Sequence, residues 1–315
     1  MTMYLVHYNA IKPALIRQGR HDWPAPGTFI TDDENNMFRI EGYTLSQPKV
    51  LVRKVTEHTP SHRWRSTAFG NGFPKAGTML LGQILATIRH PGSTRVRGPG
   101  TTKGGWGNEY WPTSLVISRF RLMKPNRYMS GHIETTDRRV VSWLRKHEIP
   151  VVFVYRDLRD VVVSYTYHCE VDDNNKKKLH PNRAPYKALP SHEARLAAAI
   201  TGIDQFMGIR DFWECYSDWL DIPWALKVKY EDIRMDPIGT CAKIAVHLGA
   251  AQGFTYDDKE LEMLAECMAG GISPMVSPTF RAGRIGDWRT EFSPELLELF
   301  YRETDPWTER MGYER

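Results

Sequence analysis

Residues 69–81 read FGNGFPKAGTMLL, and the order of glycines, lysine and threonine in them decides the fold. The apolar run STAFGNGF (66–73) ends at a turn, and Leu81, Ile84, Leu85 and Ile88 then recur at helical spacing. A strand that ends in glycines and runs straight into a helix gathers the N–H groups of the turn and of the helix start at one point, which makes an anion site. The donors fall at about Ala76 to Leu80, with the Thr78 hydroxyl beside them. A loop for nucleoside triphosphates needs G-x-x-x-x-G-K-S/T, with the lysine directly after the last glycine. Gly72 and Gly77 have that spacing, but the lysine is Lys75, two residues before Gly77, and Thr78 stands where it should be. Pro74 stiffens the approach to Lys75, because its own φ is fixed. A lysine held there suits charge developing on a leaving oxygen.

Outward from this loop, strands and helices alternate. PVVFVYR (150–156) is a continuous apolar, β-branched run of the kind buried on both faces of a parallel sheet, and WALKVKYEDI (224–233) reads as a further strand. Helices are predicted over 137–147, from Asp160 onward, and from Ser191 to Trp219 with Ser191 as N-cap. Another follows Asp236-Pro237 and stops near Gly249, Asp257 and Glu260 have capping-box spacing, and Ser293-Pro294 opens the last. Residues 92–109 are glycine-rich without a period and 170–191 are polar and proline-broken, so both are predicted as long loops. Residues 1–65 read as short strands and loops wrapped on the core. The alternation predicts an α/β fold, a parallel sheet with helices on both faces.

The 315 residues, 41% hydrophobic and 25% charged, are enough for one large domain with a buried core. No apolar run approaches the ~20 residues of a membrane span, and the N-terminus lacks the basic-then-apolar order of a secretory signal. Cys169, Cys215, Cys241 and Cys267 are scattered without metal-ligand spacing, so no metal is expected and a reduced, cytoplasmic setting fits. A net charge of +5 permits an anionic ligand.

Three further stretches point to the same edge of the sheet. In VYRDLRDVVVSYTYH (154–168), Arg156 stands where a strand ends and Ser164 lies eight residues on; ligands collect at the carboxyl ends of such strands, and a guanidinium fork suits phosphate oxygens. The other reading of Arg156 is an ion pair with Asp157 or Asp160. FRAGRIGDWRTEF (280–292) is a basic glycine turn that either lets backbone approach an anion or forms a solvated loop. RYMSGHIET places His132 at the end of a short apolar segment before a helix, as a structural or a catalytic histidine.

PKAGTMLL, then RDLRDVVVS, then RAGRIGDWRTEF resemble, in order, the signatures P-K-S-G-T-T-W, R-N-P-K/R-D-x-x-x-S and R-K-G-x-x-G-D-W-K of the cytosolic-type sulfotransferases. Those enzymes move a sulfuryl group from 3′-phosphoadenosine-5′-phosphosulfate (PAPS) to an acceptor and leave adenosine 3′,5′-bisphosphate (PAP). The resemblance covers 69–300 and implies their nucleotide-kinase-like sulfotransferase fold in a single domain over 1–315, with 1–65 an extension contributing to the acceptor side. It implies that Lys75, Ala76, Gly77, Thr78 and Met79 hold the 5′-phosphosulfate. Arg156 and Ser164 would bind the 3′-phosphate, helped by Arg281 and Gly283. His132, at the histidine of K-T-H-L-P, would be the base and Lys75 the partner of the leaving oxygen. Tyr230 would lie near the adenine. A phosphosulfate leaves as a 5′-phosphate, which explains a lysine beside the bridging oxygen instead of further out.

The chain also departs from the family pattern. Ala76 stands for serine, Met79 for threonine, Leu80 for the tryptophan that stacks on adenine, Ser130 for a lysine and Ala282 for the lysine of R-K-G. Phe280 is the candidate to replace the stacking tryptophan. The dimer signature survives only as Arg289, Ser293-Pro294 and Glu298, so a monomer or weak homodimer is expected. The expected acceptor is a small molecule, with no nucleic-acid or membrane partner. Its walls would include the two long loops, with Trp106, Tyr110 and Trp111 as an apolar face or Glu134, Glu170, Asp172 and Asp173 as an acidic one. The rival readings are a degenerate nucleotide-binding module and a P-loop kinase, the latter disfavoured by the position of Lys75.

Overall fold

A computed structural model describes residues 3–7, 29–31, 37–43, 49–54, 68–87, 96–100, 112–123, 128–170, 183–204, 206–253, 255–272 and 283–315. Four strands, β1 (Met3–His7), β2 (Phe29–Thr31), β3 (Met37–Tyr43) and β4 (Lys49–Lys54), form an antiparallel sheet in the order β1-β4-β3-β2. The N-terminal segment thus contains the short strands its sequence suggested.

The chain then enters a second sheet through β5 (Ala68–Gly72), followed by α1 (Thr78–Thr87), β6 (Val96–Gly100), α2 (Thr113–Arg121), β7 (Tyr128–His132), α3 (Arg138–Lys146), β8 (Val151–Tyr155) and α4 (Leu158–Glu170). After α5 (Arg183–Ala188) and α6 (His192–Thr201) come the two-residue strands β9 (Gly202–Ile203) and β10 (Phe206–Met207), then α7 (Ile209–Glu214), β11 (Ala225–Lys229), α8 (Tyr230–Met235) and α9 (Pro237–Ala250). The described chain closes with α10 (Asp258–Gly270), α11 (Trp288–Glu291), α12 (Pro294–Thr304) and α13 (Trp307–Arg310). The order of the main sheet is β11-β8-β5-β7-β6, every pair parallel, with β5 at its centre.

Strand β8 shows why the sheet is two-sided. Val151 and Phe153 enter one hydrophobic cluster, with residues of α2, α3, α4, α6, α7 and α12, while Val152 and Val154 enter the other, with Leu81, Ile84 and Leu85 of α1 and the inner faces of α9 and α10. Successive strand residues point to opposite faces, so a strand covered on both sides must be apolar throughout. Each such side chain contributes roughly 1.5–3 kcal/mol by leaving water.

The caps predicted at Ser191, Asp236, Asp257 and Ser293 are formed, and Asp137 caps α3 in addition. Asp137, Ser191, Asp236 and Ser293 each accept a backbone N–H at a helix start, and Asp257 and Glu260 complete a capping box. Four expectations are corrected. Within 170–191, predicted as a loop, Arg183–Ala188 form the helix α5. Residues 96–100, predicted within a loop, pair with β7 as an edge strand, where Pro99 is tolerated and the register slips between Arg97 and Gly100. The helices predicted between Ser191 and Trp219 are present as α6 and α7, but the unpredicted β9–β10 hairpin separates them, starting at Gly202 with its φ of +94°. The strand predicted to Ile233 ends at Lys229, so Tyr230 opens a helix with Glu231 and Asp232 in its first turn. Among the described residues, no helix is long and apolar enough to cross a membrane.

Candidate active site

The sheet brings the candidate residues to one edge. Parallel pairing sets Gly72 of β5 beside Val154 of β8, Asn71 beside Gly131 of β7, and Val154 beside Val228 of β11. The phosphate loop, His132, Arg156 and Tyr230 therefore all follow the carboxyl ends of adjacent strands, the edge where open α/β sheets bind ligands.

In the loop, Lys75 adopts φ +68° and Gly77 φ +100°. The first helical bond of α1 runs from Leu81 N–H to Gly77 O, so the amides of Gly77 to Leu80 precede the helical ladder. The Ala76 amide is instead bonded to Phe73 O at 3.0 Å and its methyl is buried, which narrows the expected donor set by one. Thr78 is buried, and its Oγ1 has no hydrogen-bond partner among the described residues. Met79 is half-buried in the first turn of α1.

Arg156 is equally buried. Its Nη2 donates to Asp160 Oδ2 at 3.2 Å and to Arg284 O at 2.6 Å, while its Nε has no partner among the described residues. Of the two sequence readings of this arginine, the ion pair with Asp160 is present, and the Nε–H is left without a partner among the described residues. Asp160 also accepts the N–H of Gly286 at 2.8 Å and of Trp288 at 3.2 Å. One carboxylate therefore ties Arg156 to the turn containing Gly-Asp-Trp, where Gly283 (φ +63°) and Gly286 (φ +78°) set the chain's path. Phe280 and Arg281 lie outside the described residues, as do Trp106, Tyr110, Trp111, Asp172 and Asp173. Ser164 stands partly exposed on α4, two turns beyond Arg156.

Tyr230 joins the two halves. A Cβ at Gly77 would lie 2.8 Å from Tyr230 Cδ2, so only glycine fits against this ring, and the Arg156 guanidinium sits 4.4 Å above the ring centre. Burial pushes the Tyr230 phenol's pKa up, keeping it protonated. Glu231, next in sequence, has its pKa raised by burial; it accepts from Tyr313 Oη at 2.8 Å and from the Asp157 amide at 3.3 Å.

His132 closes the other side. Its Nδ1 lies 2.7 Å from Gly72 O. A carbonyl only accepts, so Nδ1 carries the hydrogen and, in the neutral ring, Nε2 is the nitrogen that takes a proton. Glu134, two residues on, is buried and accepts from Thr136 Oγ1 at 2.8 Å.

The chain has relatives. The sulfotransferase domain family matches residues 71–312. The chain belongs to this family. Among curated members it is 23% identical over 265 residues to sulfotransferase 1A1 of Rattus norvegicus, covering 75% of this chain and 82% of the relative. With the flavonol 3-sulfotransferase of Flaveria bidentis it shares 26% over 190 residues, 53% of this chain and 56% of that protein's length. Among solved structures, mouse sulfotransferase SULT7A1 complexed with PAP superposes with a TM-score of 0.53 at 17% identity, covering 76% of this chain and 84% of that one. The parallel sheet with helices on both faces is thus the sulfotransferase fold, as the family motifs implied.

Two residues that organise the candidate site belong to none of the motifs in these roles: Asp160, which the sequence offers only as a partner of Arg156, and Asn71, inside its strand. Both were signalled in principle: a polar side chain within a buried strand or helix face demands a partner.

Proposed function

We propose that this sulfotransferase-family chain transfers a sulfuryl group from PAPS to a hydroxyl or amine of a small-molecule acceptor in the cytoplasm. The observation carrying the reading is the pair of orphaned buried polar atoms, Thr78 Oγ1 in the phosphate loop and Arg156 Nε at the end of β8. They belong to the residues expected at the 5′- and 3′-phosphates, and Tyr230 lies between Arg156 and Gly77, the neighbour of Thr78. An unmade buried hydrogen bond costs about 1–3 kcal/mol, so a bound bis-phosphate offsets two such deficits at once.

In this reading the amides of Gly77 to Leu80, with Thr78 Oγ1, hold the 5′-phosphate, and Arg156, with the Asp160-anchored turn, holds the 3′-phosphate. PAPS supplies the sulfuryl group. His132 Nε2 takes the acceptor proton as the new bond to sulfur forms, and Lys75 stabilises the charge left on the 5′-phosphate oxygen as the old bond breaks. Positioning and electrostatics supply most of the acceleration.

The test is transfer of label from 35S-PAPS to a panel of phenols, alkyl alcohols and amines. Wild-type protein is expected to give a sulfated product, and His132→Ala to lower turnover by about two orders of magnitude with PAP affinity retained. A fully active His132→Ala variant removes His132 from the base role. PAP uptake without transfer to any acceptor favours a binding module.

A further inference from the structure

Asn71 lies fully buried in the central strand, between Gly70 and Gly72. Its carboxamide is committed to a single residue: Nδ2 donates to Ile133 O at 2.9 Å, and Oδ1 accepts the Ile133 N–H at 2.8 Å. The β5–β7 backbone ladder ends at the pair Asn71 and Gly131. The side chain thus adds a surrogate rung beyond the ladder, on the residue directly after His132.

Other groups fix the same two peptide units, on either side of Ile133. Trp219 Nε1 donates to Ile133 O at 2.8 Å, and Tyr216 Oη donates to His132 O at 3.3 Å. Two residues on, the Thr135 amide bonds Cys215 O at 2.9 Å. An amide buried in the middle of a sheet is costly unless both its ends are satisfied, and an apolar side chain would fill a strand interior at less risk. Here both ends are satisfied by the backbone beside the candidate base, and the His132 ring is held by the carbonyl of Asn71's other neighbour, Gly72.

We infer that Asn71 is a positioning residue for His132: by clamping the Ile133 peptide it keeps the imidazole Nδ1–H on the Gly72 carbonyl and leaves Nε2 as the proton-accepting nitrogen. This rests on the reading of His132 as the base. Asn71→Asp preserves shape but replaces the Nδ2 donor with an acceptor facing Ile133 O. It is expected to lower kcat tenfold or more while the calorimetric Kd for PAP and the KM for PAPS stay within threefold. In protein labelled with 15N-histidine and free of nucleotide, the wild-type His132 ring should show a protonated Nδ1, and the variant a mixture of tautomers. Should Asn71→Asp not fold, Asn71→Ser, which cannot bridge N–H and C=O together, is held to the same outcomes. An unchanged kcat and tautomer, or a PAP affinity that falls in step with kcat, overturns the inference. Wild-type protein that takes up no PAP would instead overturn the proposed function, so the two failures are distinguishable.

Discussion

Lys75 offers a test in which function and stability should separate. Its φ of +68° lies in the left-handed region, which costs an L-residue roughly 1–2 kcal/mol and glycine almost nothing. Lys75→Ala and Lys75→Gly delete the same side-chain interactions, so comparing the two isolates the backbone. Glycine gives back roughly 0.5–1 kcal/mol through the entropy of its unfolded chain. The remainder leaves Lys75→Gly more stable than Lys75→Ala by about 1 kcal/mol, or about 2 °C in melting temperature for a chain of this size. Turnover at saturating PAPS should fall in both by about two orders of magnitude, because the group beside the leaving oxygen is gone. Denaturant titration and initial rates on the two variants supply the numbers. An alanine variant as stable as the glycine one refutes the backbone reasoning. Either variant keeping turnover within tenfold of wild type refutes the role of the ammonium.

Two further outcomes follow from buried groups. Asp160→Asn removes the charge that holds Arg156 and the Gly286 and Trp288 amides. The preference for PAP over 5′-AMP, read by competition binding, should shrink by about tenfold, equivalent to about 1.4 kcal/mol; an unchanged preference would detach Asp160 from the 3′-phosphate. His247 donates through Nε2 to Val151 O at 3.1 Å, and burial lowers its pKa below 6.5. A depressed histidine is neutral when folded, so as pH falls through 6.5 the unfolded chain gains a proton that the folded one refuses, and stability declines. Between pH 7.5 and 5.5, wild type should lose up to about 1 kcal/mol more than His247→Gln. Equal losses would show that His247 does not titrate this way.

The parts of the fold legible in the sequence were those encoded over a few residues. The helix caps at Ser191, Asp236, Asp257 and Ser293 are local, as is the spacing from Gly72 to Thr78. The doubly buried β8 was readable from its unbroken apolar run. Strand β6 was not, because VRGPG has no strand signal of its own and takes its shape from β7. Nor was the hairpin after α6, where a single glycine conformation outweighs the helical pattern on either side. In the site, residue types pointed to phosphates, but His132 and Tyr230 acquired roles only through the family motifs. The contacts that organise them join residues far apart in sequence: Asn71 with Ile133, Asp160 with Gly286, Gly77 with Tyr230. No local pattern encodes such pairs, and only the assembled sheet brings them together.

Calorimetric titration of the wild-type chain with PAP at fixed ionic strength reports on the bis-phosphate site itself. One nucleotide should bind per chain, at least tenfold more tightly than 5′-AMP, with Arg156→Ala erasing that difference. Absence of binding heat, or equal affinity for the two nucleotides, would contradict this expectation.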